Sequence, residues 1–517
     1  MSLLITTDTT TVAFLLCLLS VLLLSIAYPD RYIGTHPRPE LLGPIGFPIV
    51  GNLFQVYPWR TRFLLWLQRM QSEFGPLWTF TMPPWGRGVI INRPEWLAHV
   101  KQVDIQKYSR GSVAIAIFSE FPGKNTPVAS EGAEWRLARK TMFPIFTHRS
   151  FSDHVAIAMH EILLVTRALL RSASTKGVPI DWNDLAGRVA IAIFCKSSLG
   201  ITTGLITEDV DCMKKSDAIR DALSVLNRTS SSRLLNPFWK VTEKFNGVAK
   251  EFDRARSTVR NYIAKIVRDR QSTAMEVNLD TPADFLGQLL RKPDNDLMRM
   301  RDILVTLLFA GRDNIQNALG WSLHELLKVP CWVGRMREEA LRNAPEGSPI
   351  LYSDLSRYHV HLAVFYETVR LWPGLPKNAR VALCDDILPA IPEHSLPEVK
   401  IGKGDHVFWS DYIIMRDMAI WGADAGIFNP GRHLNADGQF VKPAASIFVG
   451  FGAGPRLCPA AQLAAYEFVA CWVGIMPYFD FIRVDSTSDG NDHGPTMADA
   501  FTVTMEGPFM VSVRERE

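Results

Sequence analysis

Cys458 stands in Phe451-Gly-Ala-Gly454-Pro-Arg456-Leu-Cys458-Pro-Ala460, a loop of glycines and prolines with a basic residue two positions before the sulfur. The run after it, Ala461 to Val473, reads as a mostly apolar helix. A thiol just ahead of a helix N-terminus is favoured as its anion by the backbone N–H groups and the dipole. A lone thiolate held in that way can ligate a haem iron and push electron density toward an O–O bond. The competing reading is a buried structural cysteine in a turn.

Glu367 and Arg370, in Tyr366-Glu-Thr-Val-Arg-Leu-Trp-Pro373, lie three apart on one helix face. Such a pair is commonly a solvated ion pair of little energetic weight. Trp135 and Arg139 lie one helical turn apart. An indole N–H beside a guanidinium suits a carboxylate. Taken singly, each of these arginines is more often an exposed charge. The segment Leu308-Phe-Ala310-Gly311-Arg-Asp313-Asn314-Ile-Gln316 falls inside a predicted helix over 294–329. At ~1.5 Å per residue that helix runs roughly 54 Å. Gly311 in its middle costs roughly 1 kcal/mol of helix stability and so requires a reason. For Asn314 the alternative is an ordinary polar helix position, set against the cost of burying an unpartnered amide.

The pattern F-x-x-G-x-R-x-C-x-(G or A) resembles the haem-binding loop of the cytochrome P450 family, microsomal class. The resemblance implies a haem b whose axial iron ligand is Cys458, in a loop shaped by Phe451 and Gly454. In that family E-x-x-R is locked by an arginine from F-x-P-x-R. Glu367, Arg370 and Arg432, the last in Phe428-Asn-Pro430-Gly-Arg432, match this structural triad. Gly431 stands where the family often has Glu. By the same resemblance Trp135, Arg139, Arg380 and Arg456 are partners of the haem propionates. The family's oxygen-binding pattern (A/G)-G-x-(D/E)-T is kept at Ala310, Gly311 and Asp313, but Asn314 replaces the threonine. These four are the candidate catalytic residues, with Gly311 leaving room for dioxygen over the iron. The family's threonine hydroxyl orients water and helps protonate bound oxygen, whereas an amide has no rotating O–H. Either Asn314 positions water in another way, or the substrate supplies a hydroxyl, or the chemistry is not ordinary hydroxylation. Cys384-Asp-Asp-Ile-Leu-Pro389, Lys403-Gly-Asp405, Arg416-Asp417, Ile420–Ala425 and Phe428–Pro430 resemble the branch that hydroxylates alkanes and fatty acids in fungi. Members of that branch also oxidise aliphatic arms of secondary metabolites.

These residues need a scaffold, and the chain supplies a helical one. Helices are predicted over 59–74, 131–142, 153–173, 183–199, 243–272, 294–329, 333–344 and 357–371, with short strands at Leu77–Thr81, Gly88–Asn92 and His406–Trp409. The expected fold is mainly α with small β-sheets, the cytochrome P450 fold, preceded by a single transmembrane helix. An uncharged run from Thr9 to Pro29 is just long enough for a bilayer core. No Lys or Arg precedes it, which argues against a cleaved signal peptide. Arg31 and Arg38 follow it, so the positive-inside rule leaves the remainder cytosolic. The expected organisation is an anchor over 1–28, a stiff Pro/Gly-rich linker over 29–55 and a catalytic domain over 56–517. The seven cysteines, at 17, 195, 212, 331, 384, 458 and 471, form no C-x-x-C pair, which argues against a zinc or disulfide framework. A net charge of +3 gives no footprint for nucleic acid.

No G-x-G-x-x-G after a strand and no P-loop occurs, so electrons must come from outside. The resemblance implies a membrane NADPH–cytochrome P450 reductase, with cytochrome b5 as a second donor, at the endoplasmic reticulum membrane. Arg136 and Lys140 are candidates for its docking face, with a plain solvated surface as the equal reading. The expected reaction inserts one atom of O2 into a lipophilic substrate. Gly111–Lys124, 201–240 and Phe501–Thr504 are candidate substrate segments, although their apolar residues are more often core. Two other classes stay open: a haem-thiolate isomerase or dehydratase, which Asn314 favours, and a membrane haem or lipid binder without turnover. NADPH dependence separates them. Asn227-Arg-Thr229 is a glycosylation sequon that would carry no meaning on a cytosolic domain.

Overall fold

Helical patterning dominates the chain. The structure, a computed structural model that describes residues 9–273, 284–291, 296–344, 347–484 and 495–517, is mostly helix with small sheets. Contacts divide it into two units. One is built from the chain up to Val113 with Leu235–Pro237 and Asn378–Ser410, the other from Ala114–Leu234, Phe238–Lys377 and Asp411–Glu517.

The first unit begins with α1 (Thr9–Ala27), none of whose residues is buried. Nineteen residues give a rod of about 28 Å, close to the ~30 Å of a bilayer core. The expected linker is non-helical from Tyr28 to Asn52, but it is not free. Leu42 accepts from Thr79 N–H at 2.8 Å, and Asn52 exchanges backbone and side-chain bonds with Thr81. A Cβ at Gly43 or Gly51 would collide with the Thr79 or Thr81 carbonyl. The segment is thus pinned along β1 (Leu77–Met82) as a backbone ridge. From β1 the sheet continues through β2 (Gly86–Ile91), β8 (His406–Trp409), β5 (Asn378–Ala382) and β3 (Tyr108–Ser109). Only the β2–β8 pairing is parallel. Helices α2 (Phe63–Phe74) and α3 (Pro94–Lys107) belong to this unit, as does a separate strand pair, β6 (Asp386–Leu388) with β7 (Val399–Ile401).

In the second unit the principal element is α9 (Leu297–Leu326), capped by the Asp296 carboxylate on the N–H groups of Met298 and Arg299. The first residues of its predicted span, 294 and 295, lie outside the described residues. It packs against α6 (Trp182–Leu199) and is moored by indoles: Trp182 donates to the Leu319 carbonyl, Trp472 to Ser322, and its own Trp321 to the Val503 carbonyl. Trp321 also stacks on Trp372, with centroids 3.6 Å apart. Around these lie α4 (Gly132–Met142), α5 (Ala156–Lys176), α8 (Val248–Thr273), α10 (Pro330–Asn343), α11 (His359–Leu371) and α12 (Ala461–Ile475). Two small sheets complete the unit. One orders β4 (Ile180–Asp181), β12 (Met510–Glu515) and β9 (Phe479–Arg483); the other pairs β10 (Thr496–Asp499) with β11 (Val503–Glu506).

The predicted helices recur with shifts of a few residues at their ends. Helix α7 (Ala218–Leu234) was not predicted. Its Asn-Arg-Thr-Ser-Ser-Ser stretch has poor helix propensity. Leu223 and Leu226, fully buried against the α9 core, supply the stability that propensity withholds.

Removal of residues 1–28 leaves both buried cores intact. The truncated protein should move from the alkaline-carbonate-resistant membrane pellet to the supernatant with its melting temperature unchanged. Retention in the pellet would count against α1 as the membrane contact.

Candidate functional site

Helix α9 is buried from Asp302 to Leu326 with one interruption: Phe309, Ala310, Gly311 and Asn314 are accessible, Ala310 most of all. An accessible stretch in mid-helix, flanked by buried turns, marks a site rather than a surface. A Cβ at Gly311 would meet no protein atom within 4 Å, so packing does not demand glycine there. The demand comes from the accessible side.

Asn314 faces this stretch. Its Nδ2 donates to the Ala310 carbonyl at 2.9 Å, one turn back, the bond a serine or threonine hydroxyl makes at such a position. Its Oδ1 lies in the place a side chain at 374 would take, since a Cβ on Gly374 would overlap it. The amide is therefore fixed by one bond and one glycine.

Asp313 is turned the other way. It is 1% exposed and cannot touch a substrate. Its carboxylate takes hydrogen bonds from Arg312 at 2.7 Å, Asn227 at 2.9 Å and Thr502 at 3.3 Å. Burial pushes its pKa up, against the opposing pull of the Arg312 charge and these bonds. The network joins α9 to α7 and to the β10–β11 turn, where the Asn227 side-chain Oδ1 accepts from the Phe501 N–H. Asn227 is 2% exposed with its Nδ2 spent on Asp313 and Thr502, so the sequon is closed to glycosylation in the folded protein. The same turn brings two of the expected substrate segments together, as the rings of Phe118 and Phe501 lie 5.0 Å apart. Ala114 and Ile117, by contrast, are core.

The cysteine loop is closed by the Cys458 N–H donating to the Phe451 carbonyl at 2.9 Å. Gly452 and Gly454 adopt φ of +72° and +62°, which favours glycine at both. Cys458 is half-buried, three residues before α12. Burial pushes its thiol pKa up; the Ala460 N–H bond and the Arg139 charge pull it down without prevailing. A coordinated metal cation would deprotonate a ligating thiol outright.

Three of the four expected propionate partners gather around one indole. The guanidinium carbons of Arg456 and Arg139 lie 5.1 and 5.7 Å from the Trp135 ring centroid. Arg139 also donates to the Leu457 carbonyl at 2.9 Å, and Arg456 pairs with Glu131, a partner the sequence did not signal. Arg380 belongs to the other unit. There its Nε donates to Asp104 at 3.1 Å and its guanidinium lies over Trp409. The donor chemistry fits a haem: a sulfur for the iron, cations and an indole for carboxylates, and a helix face kept open at Ala310 and Gly311.

Glu367 and Arg370, each 0% exposed, are no surface pair. Arg370 binds both Glu367 oxygens, at 2.7 and 2.8 Å, and donates to the carbonyls of Met415, Ala425 and Ile427. Arg432 reaches Glu367 at 3.0 Å, as expected. His433 Nε2 at 3.1 Å and the Asn429 N–H at 2.9 Å also reach it, and neither had been singled out. Burial alone would raise the Glu367 pKa; hydrogen bonds from Arg370 and His433, with the Arg370 charge, bring it down to about 2.

The family model for cytochrome P450 matches residues 41–506. The chain is 29% identical to "Cytochrome P450 monooxygenase cyp1" of Mycosarcoma maydis, covering 96% of this chain and 79% of the relative. It is 25% identical to "Cytochrome P450 94A1" of Vicia sativa over 92% of this chain and 91% of that one. It is 26% identical to "Cytochrome P450 monooxygenase pvhE" of Talaromyces variabilis, over 88% and 85%.

Two outcomes follow from this geometry. Because the folded-state pKa of Glu367 lies below its ordinary 4.5, its contribution is present above pH 4.5 and is lost as pH falls toward 2. The contribution is on the order of 3 kcal/mol. Glu367→Gln should lose about 3–5 kcal/mol at neutral pH, because Arg370 is left buried and uncompensated. Its unfolding free energy should then fall less steeply than that of the wild type over this acid range. Gly374→Ala should displace the Asn314 amide. Product formed per NADPH would drop by up to about 100-fold, with the carbon monoxide difference spectrum intact.

Proposed function

Since this chain belongs to the cytochrome P450 family and is a haem-thiolate monooxygenase, we propose that it inserts one atom of O2 into an aliphatic, lipid-like substrate. A fatty acid, an alkane or the aliphatic arm of a fungal secondary metabolite fits. The observation that carries this reading is the accessible stretch of α9. The side chains on and against it are apolar: Phe309, whose ring lies 5.1 Å from that of Phe121, Ala310, and the exposed Leu375 next to Gly374. An apolar lining with few polar groups is what a hydrocarbon chain requires.

Haem, when bound, supplies the activation of dioxygen and the removal and hydroxylation of a C–H bond. Cys458 is its thiolate ligand, in the loop closed by Phe451 and turned by Gly454. Trp135, Arg139 and Arg456 would hold the propionates, a role the family pattern also gives to Arg380. Glu367, Arg370 and Arg432 fix the chain behind that loop and take no part in chemistry. Ala310 and Gly311 leave space for the reacting groups. Asn314, tethered to Ala310, presents an amide where a hydroxyl would ordinarily stand; this geometry favours the first of the three sequence alternatives, in which Asn314 positions water. Asp313 ties the buried network behind it together, accepting from Arg312, Asn227 and Thr502. Protein groups here orient, exclude water and move protons.

Electrons come from a redox partner. We assign that role to NADPH–cytochrome P450 reductase, with cytochrome b5 as a second donor, on the endoplasmic reticulum membrane. Residues 1–28 act as the anchor, 29–55 as the link and 56–517 as the catalytic part. Arg136, Leu137 and Lys140 are exposed on α4 and suit a docking face.

The test incubates membranes containing this protein and a reductase with NADPH and heavy-oxygen dioxygen. Alkanes, fatty acids and lipophilic polyketides form the panel, with Cys458→Ala as control. A labelled hydroxylated product, absent from the control, is expected. Conversion without NADPH or label would replace oxygen insertion by redox-neutral chemistry, and labelling of polar compounds alone would overturn the aliphatic reading.

A further inference from the structure

An ion pair that the oxygen chemistry does not use lies a few residues along the chain from the contacts of Asn314 and Asp313 on α9. Lys377 pairs with Asp499, and their side chains are 14% and 3% exposed. Its position follows from a ring of contacts. Gly374 abuts the Asn314 amide, and Lys377 is three residues further on. Asp499 is three residues before Thr502, whose hydroxyl donates to Asp313. Asp313 and Asn314 are neighbours on α9, which closes the ring. Three residues of chain span at most about 11 Å, so the backbone of Lys377 lies within roughly that reach of Gly374, which abuts Asn314, and that of Asp499 within the same reach of Thr502. Leu375 and Phe501, the apolar residues of this region, occupy the two arms of the same ring.

A buried ion pair is a poor device for stability, because desolvation offsets most of the attraction. In an apolar site, the few polar groups present are what orient the ligand. Asp499 already neutralises Lys377. A second carboxylate would place two anions on one ammonium, and a bare hydrocarbon would gain nothing from either group. A hydroxyl matches both partners: its hydrogen donates to a carboxylate oxygen and its oxygen accepts from an ammonium.

We propose that Lys377 and Asp499 together form the subsite for the hydroxyl group of a lipophilic alcohol, so that this protein selects hydroxylated aliphatic substrates over free acids and plain hydrocarbons. The inference rests on the aliphatic reading above and narrows it. Hydrogen bonds to charged groups contribute about 1.5–3 kcal/mol, which corresponds to roughly 10- to 100-fold in affinity.

The test is a titration of the haem-loaded, full-length protein followed by the shift of its ferric haem absorption band. The probes are 1-dodecanol, dodecanoic acid and dodecane. The variant is Lys377→Met with Asp499→Leu, which removes both charges together and avoids leaving one of them buried alone. Its carbon monoxide difference spectrum reports whether the haem-thiolate centre survives. Dodecanol should bind at least about tenfold more tightly than the other two in the wild type, and the preference should vanish in the double variant with dodecane affinity unchanged. Equal binding of the three probes, a preference for dodecanoic acid, or a dodecanol preference that survives in the double variant would overturn the inference alone. Silence from all three probes would overturn the aliphatic reading and the inference with it.

Discussion

The carboxylate of Glu367, withdrawn from water and met by two guanidiniums, an imidazole and a backbone N–H, organises the end of the fold that carries the cysteine. A lone buried carboxylate would be prohibitively costly; one with this many donors is held as the anion. Arg370 stands on α11 with Glu367, whereas Arg432, His433 and the Asn429 N–H come from a stretch of chain with little regular structure of its own. Met415, Ala425 and Ile427 lend carbonyls to Arg370. Irregular chain is thereby given fixed coordinates, and the segment running on to Phe451 and Cys458 starts from a rigid point.

The second constraint is a helix that must be buried almost everywhere and open in one place. Indole hydrogen bonds from Trp182 and Trp472 and the stack of Trp321 on Trp372 hold the C-terminal half of α9. That leaves Ala310, Gly311 and Asn314 open on the accessible side. The polar residues there divide by direction: Asn314 toward the accessible side, Asp313 into a network reaching α7 and the C-terminal hairpin. The asparagine is accommodated locally, by a hydrogen bond from i to i−4 and by a glycine at 374 that clears space for the amide. Gly374 and Asn314 thus form a matched pair 60 residues apart in sequence.

The N-terminal segments follow the same economy of contacts. Proline and glycine make the stretch before Asn52 non-helical. Its glycines then allow the backbone to lie directly on strand β1, so a segment that looks like a tether is also an edge of the structure.

By itself the sequence determined the helices with strong apolar periodicity, the exposed N-terminal rod and the loop around Cys458. Each of these depends on neighbours in the chain: a period of 3.6, an uncharged run, glycines at left-handed positions. The residues of the Glu367 cluster were legible only in part. Arg370 is one turn away and Arg432 follows a recognisable pattern, whereas His433 and the Asn429 N–H reach the carboxylate only because the chain folds back. Tertiary structure alone decided that α7 is a helix, since its serines oppose one and its buried leucines require it. It also decided that Asp313 faces inward, that Asn314 rests against Gly374, and that Lys377 meets Asp499. These depend on which distant surfaces are pressed together. A side chain's partner across a core is fixed by packing, and packing leaves no period in the sequence.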